Sequence, residues 1–389
     1  MYIVVGCGLS GAVIAQQLHD AGKKVKIIEK RDHIGGNCYD YIDEETGIRV
    51  SKYGAHLFHT NNERVWQYVN KFSEWKRWEH KVVAYCDGIY VPVPANITTV
   101  NCLLGKHITT SSEFNEWLTN EIQNNPQDSK RINNSEDVAI SRIGYNLYKK
   151  LIEPYTLKQW NKHPRDLDKS VLERLPLRDN FNPNYFNDKY QALPINGYTE
   201  FIKNMIDGIE VQLNTSYSNA YSCLNKSEQS NIEGVFFTGP IDSYFEDYEK
   251  LEYRSIDFKF VTIDQKYFQC NSVVNYVSGD VPYTRIVEYK HFSSQRTQST
   301  ESTKSAQRKD SKKTIISYET PKDSTNDEDK YYPVPNKKNL ELYEKYKQMA
   351  DELTNKNNVH FIGRLANYKY FNMDEAIANA LEYMDKVLS

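Results

Sequence analysis

A strand, a glycine turn and a helix at the start of the chain constrain its fold more than any other feature. The apolar run Tyr2–Val5 predicts a buried parallel strand, and the run Val25–Ile28 predicts a second one. Residues 12–21 between them have a helical pattern. The turn before this helix has glycines at GxGxxG spacing: Gly6, Gly8 and Gly11. Such glycines permit a tight turn, a close approach to a pyrophosphate and close packing of the helix, which predicts a dinucleotide-binding α/β domain.

An acidic residue and a second glycine pair indicate which dinucleotide is bound. Glu29 ends the second strand 18 residues after Gly11, where a carboxylate accepts hydrogen bonds from ribose hydroxyls. A carboxylate there would repel the 2′-phosphate of NADP. Gly35, Gly36 and Asn37 follow, which is more typical of FAD than of NAD. We therefore expect FAD, and a glycine turn in an unrelated α/β protein is the alternative.

Charge and cysteine content exclude several classes of protein. The net charge is −3 and the pI about 6.3, so no basic excess favours nucleic acid or a membrane surface. No apolar run approaches the ~20 residues of a membrane span, and no secretion signal is visible, so we expect a cytoplasmic protein. The six cysteines are scattered without a CxxC pair, so neither a disulfide framework nor a metal site is expected. The 30 tyrosines could fill a core or line a sugar or nucleotide cleft.

The middle of the chain predicts a hairpin and a helical region. Asp87-Gly88, within residues 82–93, predicts a hairpin of a separate antiparallel sheet. Helices are predicted at residues 113–122 and 138–151, and an irregular or extended segment at 182–197.

The end of the chain predicts a second element directed at an anion. A strand over residues 359–362 leads to Gly363-Arg364, and a helix over 374–388 follows Asn372, a suitable N-cap residue. The N-terminus of such a helix favours an anionic group, here an anionic reduced flavin.

Eight blocks, in the same order over nearly the whole chain, resemble the prokaryotic-type UDP-galactopyranose mutases. The blocks are GCGLSG, IIEKRDHIGGN, KYGAHLFHTN, PYTLKQW, NYFNDKYQALPINGY, PYTRIVEYKHF, YYPV and FIGRLANYKYFNMDEAI. Eight blocks are far more specific than one glycine motif.

The resemblance implies an isomerase that interconverts UDP-galactopyranose and UDP-galactofuranose without net redox change. It implies reduced FAD, whose N5 attacks the anomeric carbon and displaces UDP through a flavin–sugar iminium adduct. It also implies an unidentified flavin reductant, a homodimer and a supply of galactofuranose for surface glycans.

The resemblance assigns FAD contacts to the glycine loop, to the segment after Glu29, to the histidine segment and to the last helix. These residues are Gly6, Gly8, Ser10, Gly11, Glu29, Lys30, Asn37, His56, Leu57, Arg364, Phe371, Asn372, Met373, Asp374, Glu375 and Ala376.

The resemblance also assigns residues to the nucleotide sugar. Arg174 and Arg285 match two arginines that clamp the diphosphate, because guanidinium offers fixed donors to phosphate. Together with His56 they form the predicted catalytic set. Tyr185 matches a tyrosine that stacks on uracil. The further substrate contacts are His80, Tyr155, Thr156, Trp160, Asn275, Tyr332 and Tyr370.

Four positions bear on how far these assignments hold. Asn372 stands where many members of the family have Asp, and His80 stands where Asn is frequent, so ligand contacts at both are open. His56 and His59 could be packed loop histidines or could contact a ring system. His59 matches mutases specific for galactose, whereas relatives that accept the N-acetylated sugar can have Arg there.

Two other functions compete with the mutase. One is an FAD-dependent oxidoreductase such as an amine oxidase or a desaturase-like enzyme, since the opening fold is widely shared. Such an enzyme has no need for two arginines that converge on a pyrophosphate. The other is a non-catalytic UDP-sugar binder, which only the Asn at position 372 favours.

Three structural parts are predicted: a Rossmann-like FAD domain, an inserted helical bundle and a twisted antiparallel sheet. The FAD domain comprises residues 1–75, 205–240 and 340–389, and the helical substrate domain comprises 98–180. The sheet domain comprises 76–97, 181–204 and 241–339. It includes a mobile polar insertion at about 293–313, because that segment is rich in Ser, Thr, Lys, Gln and Arg.

A loop within residues 156–174 is predicted to close over the substrate and bring Arg174 to the diphosphate. Replacing this side chain in Arg174→Ala should therefore lower kcat/KM by well over about twofold, because a transition-state contact is lost. Steady-state kinetics measure this effect, and a value within about twofold of the wild type would contradict the closure.

Overall fold

The computed structural model describes residues 1–124, 132–173, 175–223, 229–245, 247–294, 312–325 and 330–389. Arg174 and most of the predicted polar insertion, residues 295–311, lie outside these ranges. In the described part the strands are β1 Tyr2–Val5, β2 Val25–Ile28, β3 Asp40–Ile42, β4 Arg49–Ser51, β5 Phe58–Thr60, β6 Trp75–Arg77, β7 Val82–Cys86, β8 Ile89–Val93, β9 Tyr190–Pro194, β10 Glu210–Gln212, β11 Gly234–Phe237, β12 Tyr253–Ile263, β13 Val273–Tyr276, β14 Arg285–Glu288, β15 Thr314–Asp323, β16 Tyr332–Pro333 and β17 Val359–Phe361.

The α-helices in the same ranges are α1 Leu9–Asp20, α2 Glu63–Val69, α3 Ile97–Leu104, α4 Ser111–Gln123, α5 Ser135–Ile143, α6 Tyr145–Leu147, α7 Glu153–Trp160, α8 Gly197–Met205, α9 Tyr217–Cys223, α10 Ile241–Tyr244, α11 Lys290–Ser294, α12 Lys337–Asn357 and α13 Met373–Leu388. A π-helix, Tyr148–Ile152, connects α6 to α7. Among the described residues, no helix is both long enough and apolar enough to cross a membrane.

A five-stranded parallel sheet, in the order β10-β2-β1-β11-β17, forms the nucleotide-binding half of the fold. It joins strands from three distant stretches of the chain, and helices cover both of its faces. On one face α1 and α13 share a core, in which Ile14, Leu18 and Ile377 are fully buried. On the other face α12 packs through Leu342 and Tyr346. The Rossmann-like α/β fold predicted from the glycine motif is therefore confirmed.

Gly11 shows why the first helix can lie so close to the first strand. A Cβ atom at this position would overlap the carbonyl oxygen of Gly6 and approach the Val4 side chain to 3.4 Å. Gly6 itself has φ +98°, a conformation that non-glycine residues rarely adopt. The two glycines together set the turn from β1 into α1.

A seven-stranded sheet, in the order β16-β12-β15-β14-β13-β7-β8, forms the second layer. The predicted hairpin β7–β8 is present, and the sheet is antiparallel as predicted except for one pair. Strand β7 pairs parallel to β13, with Val82 opposite Val273, and the other pairs are antiparallel. Parallel neighbours need a long connection, and the helical segment that follows β8 provides part of it.

One further segment differs from its prediction, and another was predicted only as irregular or extended. The helix expected at residues 138–151 is interrupted at Gly144, whose φ of +78° and ψ of 162° leave the helical region. The segment 182–197, expected to be irregular or extended, contains β9, which pairs with β5 and β6. These partners are distant in sequence, so local residue preferences could not reveal the strand.

Helix α8 packs on the nucleotide-binding layer and contacts α1, β3 and β9. Its residues Phe201 and Ile202 are buried in the core of α1 and α13, beside Leu18. The domain boundary predicted between residues 204 and 205 therefore falls inside this helix. It assigns most of the helix to a different domain from the core in which the helix is buried. The remaining predicted domain boundaries stay predictions.

Substitution Gly11→Ala tests the close packing of α1 on β1. Because the new methyl group would overlap backbone atoms, we expect a loss of at least about 2 kcal/mol of unfolding free energy together with loss of bound flavin. Chemical denaturation and the flavin absorbance of the purified protein measure the two effects. Gly279→Ala is the control, since a Cβ there meets no atom within 4 Å, and its stability should stay within about 0.5 kcal/mol of the wild type.

Candidate functional site

Glycines follow the carboxyl ends of β1 and β17, and they leave no room there for side chains of their own. A Cβ at Gly6 would overlap the Thr238 hydroxyl, which donates to the Val5 carbonyl at 2.7 Å. A Cβ at Gly363, which follows β17, would lie 3.0 Å from the Ser10 Oγ. In an open parallel sheet this edge is where ligands bind.

The second glycine pair packs against the first glycine loop. A Cβ at Gly36 would lie 2.8 Å from the Gly8 Cα, and Gly36 has φ +54°. The N–H of Gly35 donates to the Cys7 carbonyl at 2.8 Å. We call the backbone surface of Gly6, Gly8, Gly11, Gly36 and Gly363 the glycine cradle. The N-terminus of α1 lies within it and supplies N–H donors to an anion.

Glu29 is buried beside the glycine cradle. Its carboxylate accepts the backbone N–H of Cys7 at 2.7 Å and that of Arg31 at 2.9 Å. Each carboxylate oxygen has a further lone pair for a ribose hydroxyl. The Arg31 guanidinium donates to the Asn37 amide oxygen at 2.9 Å, which orients this predicted FAD contact. The exposed Lys30 follows Glu29 directly.

The start of α13 forms a second site for negative charge. Asn372 occupies the N-cap position as predicted, and its N–H donates to the Glu375 carboxylate at 2.8 Å. The Arg364 guanidinium donates to the Phe371 carbonyl from Nε at 3.1 Å and from Nη2 at 2.5 Å. One buried oxygen of Asp374, Oδ1, has no hydrogen-bond partner in the described structure. Burial raises the pKa of Asp374. Met373 and Ala376 are buried in the same turn.

Arg364 also contacts two stacked tyrosines. Its guanidinium carbon lies 5.8 Å from the ring centroid of Tyr332 and 5.4 Å from that of Tyr370. The two ring centroids are 5.7 Å apart, and the rings are inclined by 21°. Trp160 of α7 lies 6.5 Å from Tyr332 between ring centroids. These contacts bring the last segment of the chain to the helical region.

Arg285 is held by a buried acid. It begins β14, and its Nε forms an ion pair with Glu319 of β15, the residue directly opposite in the sheet. Asn275 of β13 is opposite Arg285 on the other side. Directly opposed residues lie on one face of a sheet, so three adjacent strands present Asn275, Arg285 and Glu319 together. The pKa of Arg285 is raised well above its usual value by the charge of Glu319, against the effect of burial.

Tyr155 and Tyr332 lie within electrostatic range of Arg285. Burial raises the pKa of Tyr155 to about 12, so this phenol stays a hydrogen-bond donor at neutral pH. We call the space bounded by Arg285, Arg364, Tyr155, Tyr332 and Tyr370 the arginine–tyrosine cleft. Thr156, on the same helix as Tyr155, is buried.

His56 is neutral beside this cleft. Its pKa falls to about 4, first because of burial and then because Arg364 and Arg285 are positively charged. The Nδ1 atom lies 2.8 Å from the Gly54 carbonyl, which can only accept, so we assign the proton to Nδ1. The Nε2 lone pair is then an acceptor. Leu57 follows and is half-buried.

His80 lies in an aromatic row with Tyr185. The ring centroids of His80 and Tyr185 are 5.7 Å apart in an edge-on arrangement. The pKa of His80 falls to about 3 through burial, Arg285 and His59. His59 stacks on Phe186 at 3.7 Å between ring centroids. His80 therefore packs edge-on against the tyrosine that is predicted to stack on uracil, and His59 lies against the neighbouring Phe186.

Three residues of this site had no signal in the sequence. Glu319 was not predicted, because one acid in an alternating strand does not indicate its partner. Phe186 and Asp188, which contact His59, belong to a segment expected to be irregular or extended.

A possible metal group lies away from the cleft. Among the described residues, Glu136, Glu153 and His163 offer ligand atoms within 4.8 Å of one another. Lys149 already pairs with Glu153, and Arg165 approaches the Glu136 carboxylate to 3.8 Å. These cations neutralise the acids, so the group is not assigned a metal.

Comparisons with known proteins agree on one family. A family model described as GLF, UDP-galactopyranose mutase, matches residues 150–370, and a model of NAD(P)-binding Rossmann-like domains matches residues 4–72. A probable UDP-galactopyranose mutase of Klebsiella pneumoniae is 37% identical over 393 residues, covering 100% of this chain and 94% of the relative. A dTDP-fucopyranose mutase of Escherichia coli is 37% identical over 386 residues, covering 98% and 96%. A crystal structure of reduced UDP-galactopyranose mutase shares the fold, with a TM-score of 0.73 at 15% identity and coverage of 100% and 95%.

Acid should destabilise the protein through His80. In the unfolded chain this imidazole has its ordinary pKa near 6.5, and in the fold it has a pKa of about 3. The unfolded state therefore binds more protons between these values, and stability falls as the pH drops through about 6.5. The contribution of His80 to this loss should be about 2 kcal/mol between pH 7.5 and pH 5.

Chemical denaturation at the two pH values measures this loss. Between pH 7.5 and pH 5, the unfolding free energy of His80→Asn should fall by about 2 kcal/mol less than that of the wild type. The exposed His107 supplies the control variant His107→Asn, which should behave as the wild type does. Equal losses in the wild type and His80→Asn would show that the His80 imidazole is protonated in the fold.

Proposed function

The chain belongs to the UDP-galactopyranose mutase family, and we propose that it interconverts UDP-galactopyranose and UDP-galactofuranose with bound FAD. One observation supports this most directly. The charges of two guanidinium groups, of Arg285 and Arg364, act on the half-buried Tyr332, and Arg364 directly follows Gly363 of the glycine cradle. An oxidase that acts on an uncharged substrate needs no such pair, whereas a diphosphate does.

The residues around the glycine cradle fit FAD. Backbone N–H groups at α1 and the buried Glu29 suit the pyrophosphate and the ribose of the adenosine half. Arg364 and the N-terminus of α13 suit a flavin with negative charge, because the helix dipole and the guanidinium both stabilise an anion. When bound and reduced, FAD supplies the N5 nucleophile for the anomeric carbon, and no net oxidation results.

Arg285 suits the diphosphate. The Nε–H of Arg285 donates to the Glu319 carboxylate, and the two terminal nitrogens of the guanidinium carry four further N–H donors. The ion pair fixes the plane of the group before the ligand arrives, so little side-chain entropy is lost on binding. Tyr155 and Tyr332 remain protonated and can donate to the same phosphate oxygens.

His56 and Tyr185 are proposed for the two ends of the nucleotide sugar. Neutral His56 holds its proton on Nδ1 against Gly54, so Nε2 can accept a hydrogen bond from the flavin or the sugar. Tyr185 offers a ring face to uracil, and His80 supports that ring from the side. Thr156, Trp160 and Asn275 are proposed as further contacts to the nucleotide sugar. Arg174 lies outside the described residues, and its part in closure stays a prediction.

A second candidate function is the corresponding reaction of a dTDP-6-deoxyhexose. The E. coli dTDP-fucopyranose mutase is as similar to this chain, at 37%, as the Klebsiella relative. The two substrates share the diphosphate and differ in a base methyl, in the 2′-hydroxyl of the nucleoside and in one hydroxyl of the hexose. The arginine–tyrosine cleft suits both, so the substrate must be measured.

Several finer predictions belong to this proposal. They are a homodimer, a cytoplasmic location, a separate flavin reductant and the use of galactofuranose in surface polysaccharide. Measuring the mass of the native protein and the galactofuranose content of cells that lack it tests the first and the last.

The reaction itself can be followed with purified protein and UDP-galactofuranose, with and without dithionite. We expect conversion to UDP-galactopyranose only when dithionite is present, since the nucleophile is the reduced flavin. Chromatographic separation of the two UDP-sugars measures it.

dTDP-fucofuranose serves as the competing substrate in the same assay. If kcat/KM is larger for dTDP-fucofuranose than for UDP-galactofuranose, the dTDP-sugar replaces UDP-galactose as the proposed substrate. A flavin-loaded protein that binds UDP without converting either sugar would contradict the mutase activity.

A further inference from the structure

Lys158 binds several carbonyl groups of one loop. This residue lies on α7 and is half-buried. Its ammonium group donates to the carbonyls of Tyr276 at 2.5 Å, Ser278 at 2.6 Å and Tyr283 at 3.0 Å, and the Val281 carbonyl lies at 3.4 Å. An ammonium has three N–H donors, so the loop saturates it.

That loop, residues 276–283, connects β13 to β14. Asn275 lies at one end of it and Arg285 just beyond the other, and the two are opposite each other in the sheet. The backbone closes the loop where the Tyr276 N–H donates to the Thr284 carbonyl at 2.8 Å. The conformation of the loop therefore affects where Arg285 enters its strand.

Helix α7 is tied to the sheet by a second cation. The Arg254 guanidinium of β12 donates to the Gln159 carbonyl at 2.9 Å and to the Lys158 carbonyl at 3.4 Å, and it pairs with Asp323. The same helix has Tyr155 and Trp160, which border the arginine–tyrosine cleft. Lys158 thus joins the helical wall of the cleft to the loop that leads into its sheet wall.

We propose that Lys158 is a positioning residue for nucleoside-diphosphate binding. By gathering the carbonyls of the 276–283 loop, it fixes Arg285 and Asn275 relative to Tyr155 and Trp160. This deepens the proposed function and depends on it for the identity of the ligand.

The surroundings of Lys158 favour such a role. Burial lowers its pKa to about 8, and Asp280 of the same loop acts in the opposite direction. Arg254, paired with Asp323, is the charged group that approaches from β12. Desolvating an ammonium costs free energy, and the carbonyl groups offset that cost only while the loop keeps its shape.

The test replaces the ammonium and keeps the aliphatic stem. In Lys158→Met, the Kd for UDP and the KM for the nucleotide sugar should rise by about tenfold or more, while the FAD bound per chain is unchanged. Titration calorimetry with UDP measures the Kd. Lys162→Met is the matched control, since Lys162 pairs with Glu252 at 3.2 Å and should leave the Kd within about twofold of the wild type.

A purely structural role would give a different result. If Lys158→Met melts at a lower temperature but binds UDP within about twofold of the wild type, the proposal is wrong. Should Lys158→Met fail to fold, Lys158→Arg replaces it, since guanidinium keeps its charge at all relevant pH values. The wild type should then bind UDP more weakly as the pH rises from 7 through about 8, and Lys158→Arg should lack this change. A flat wild-type profile would then overturn the proposal.

UDP binding needs no turnover, so the two proposals fail separately. A wild type that binds UDP without converting the sugar contradicts the mutase and leaves the Lys158 test in force. A wild type that binds no UDP contradicts both. If the wild type converts the sugar and Lys158→Met binds UDP as tightly as the wild type does, only the proposed role of Lys158 is contradicted.

Discussion

The ion pair of the half-buried Arg285 and the buried Glu319 is the interaction on which the cleft depends most. Without the acid, a partly desolvated guanidinium would lose its counter-charge, which destabilises the fold. Because the partners are opposite each other on β14 and β15, the sheet itself fixes their orientation. Burial lowers the pKa of His56 and His80, and the positive charge of Arg285 lowers both pKa values further. In the described structure the Arg364 guanidinium donates to a carbonyl and packs on two rings, which supports its proposed part in binding an anionic ligand.

The cofactor cradle depends on a different constraint, the absence of side chains. Strands from three distant stretches end at one edge of the parallel sheet, and glycine lies at the points of closest approach. A single Cβ at Gly11 or Gly36 would meet backbone atoms. The cradle therefore needs both the local glycine motif and the tertiary pairing of β1 with β11 and of β11 with β17.

Predictions from the sequence were accurate where the signal was local. The strand β1, the helix α1 and the Asn372 N-cap each depend on a few neighbouring residues, and all are present. Predictions were less specific where a distant partner decided the outcome. Strand β9 exists because β5 and β6 supply its hydrogen bonds, and β7 is parallel to β13 because a long segment separates them. Glu319 and Lys158 were missed for the same reason, since their partners lie 34 residues away for Glu319 and about 120 for Lys158.

The sequence by itself determined the family, the dinucleotide motif and the residue types available for a diphosphate. It could do so because glycine spacing and motif order are properties of the chain, independent of how it folds. The tertiary structure alone decided which arginine is paired with an acid, which histidines are neutral and which loop Lys158 holds. Charge, burial and hydrogen bonding depend on the distances between residues far apart in the chain, and only the folded arrangement of the two sheets sets those distances.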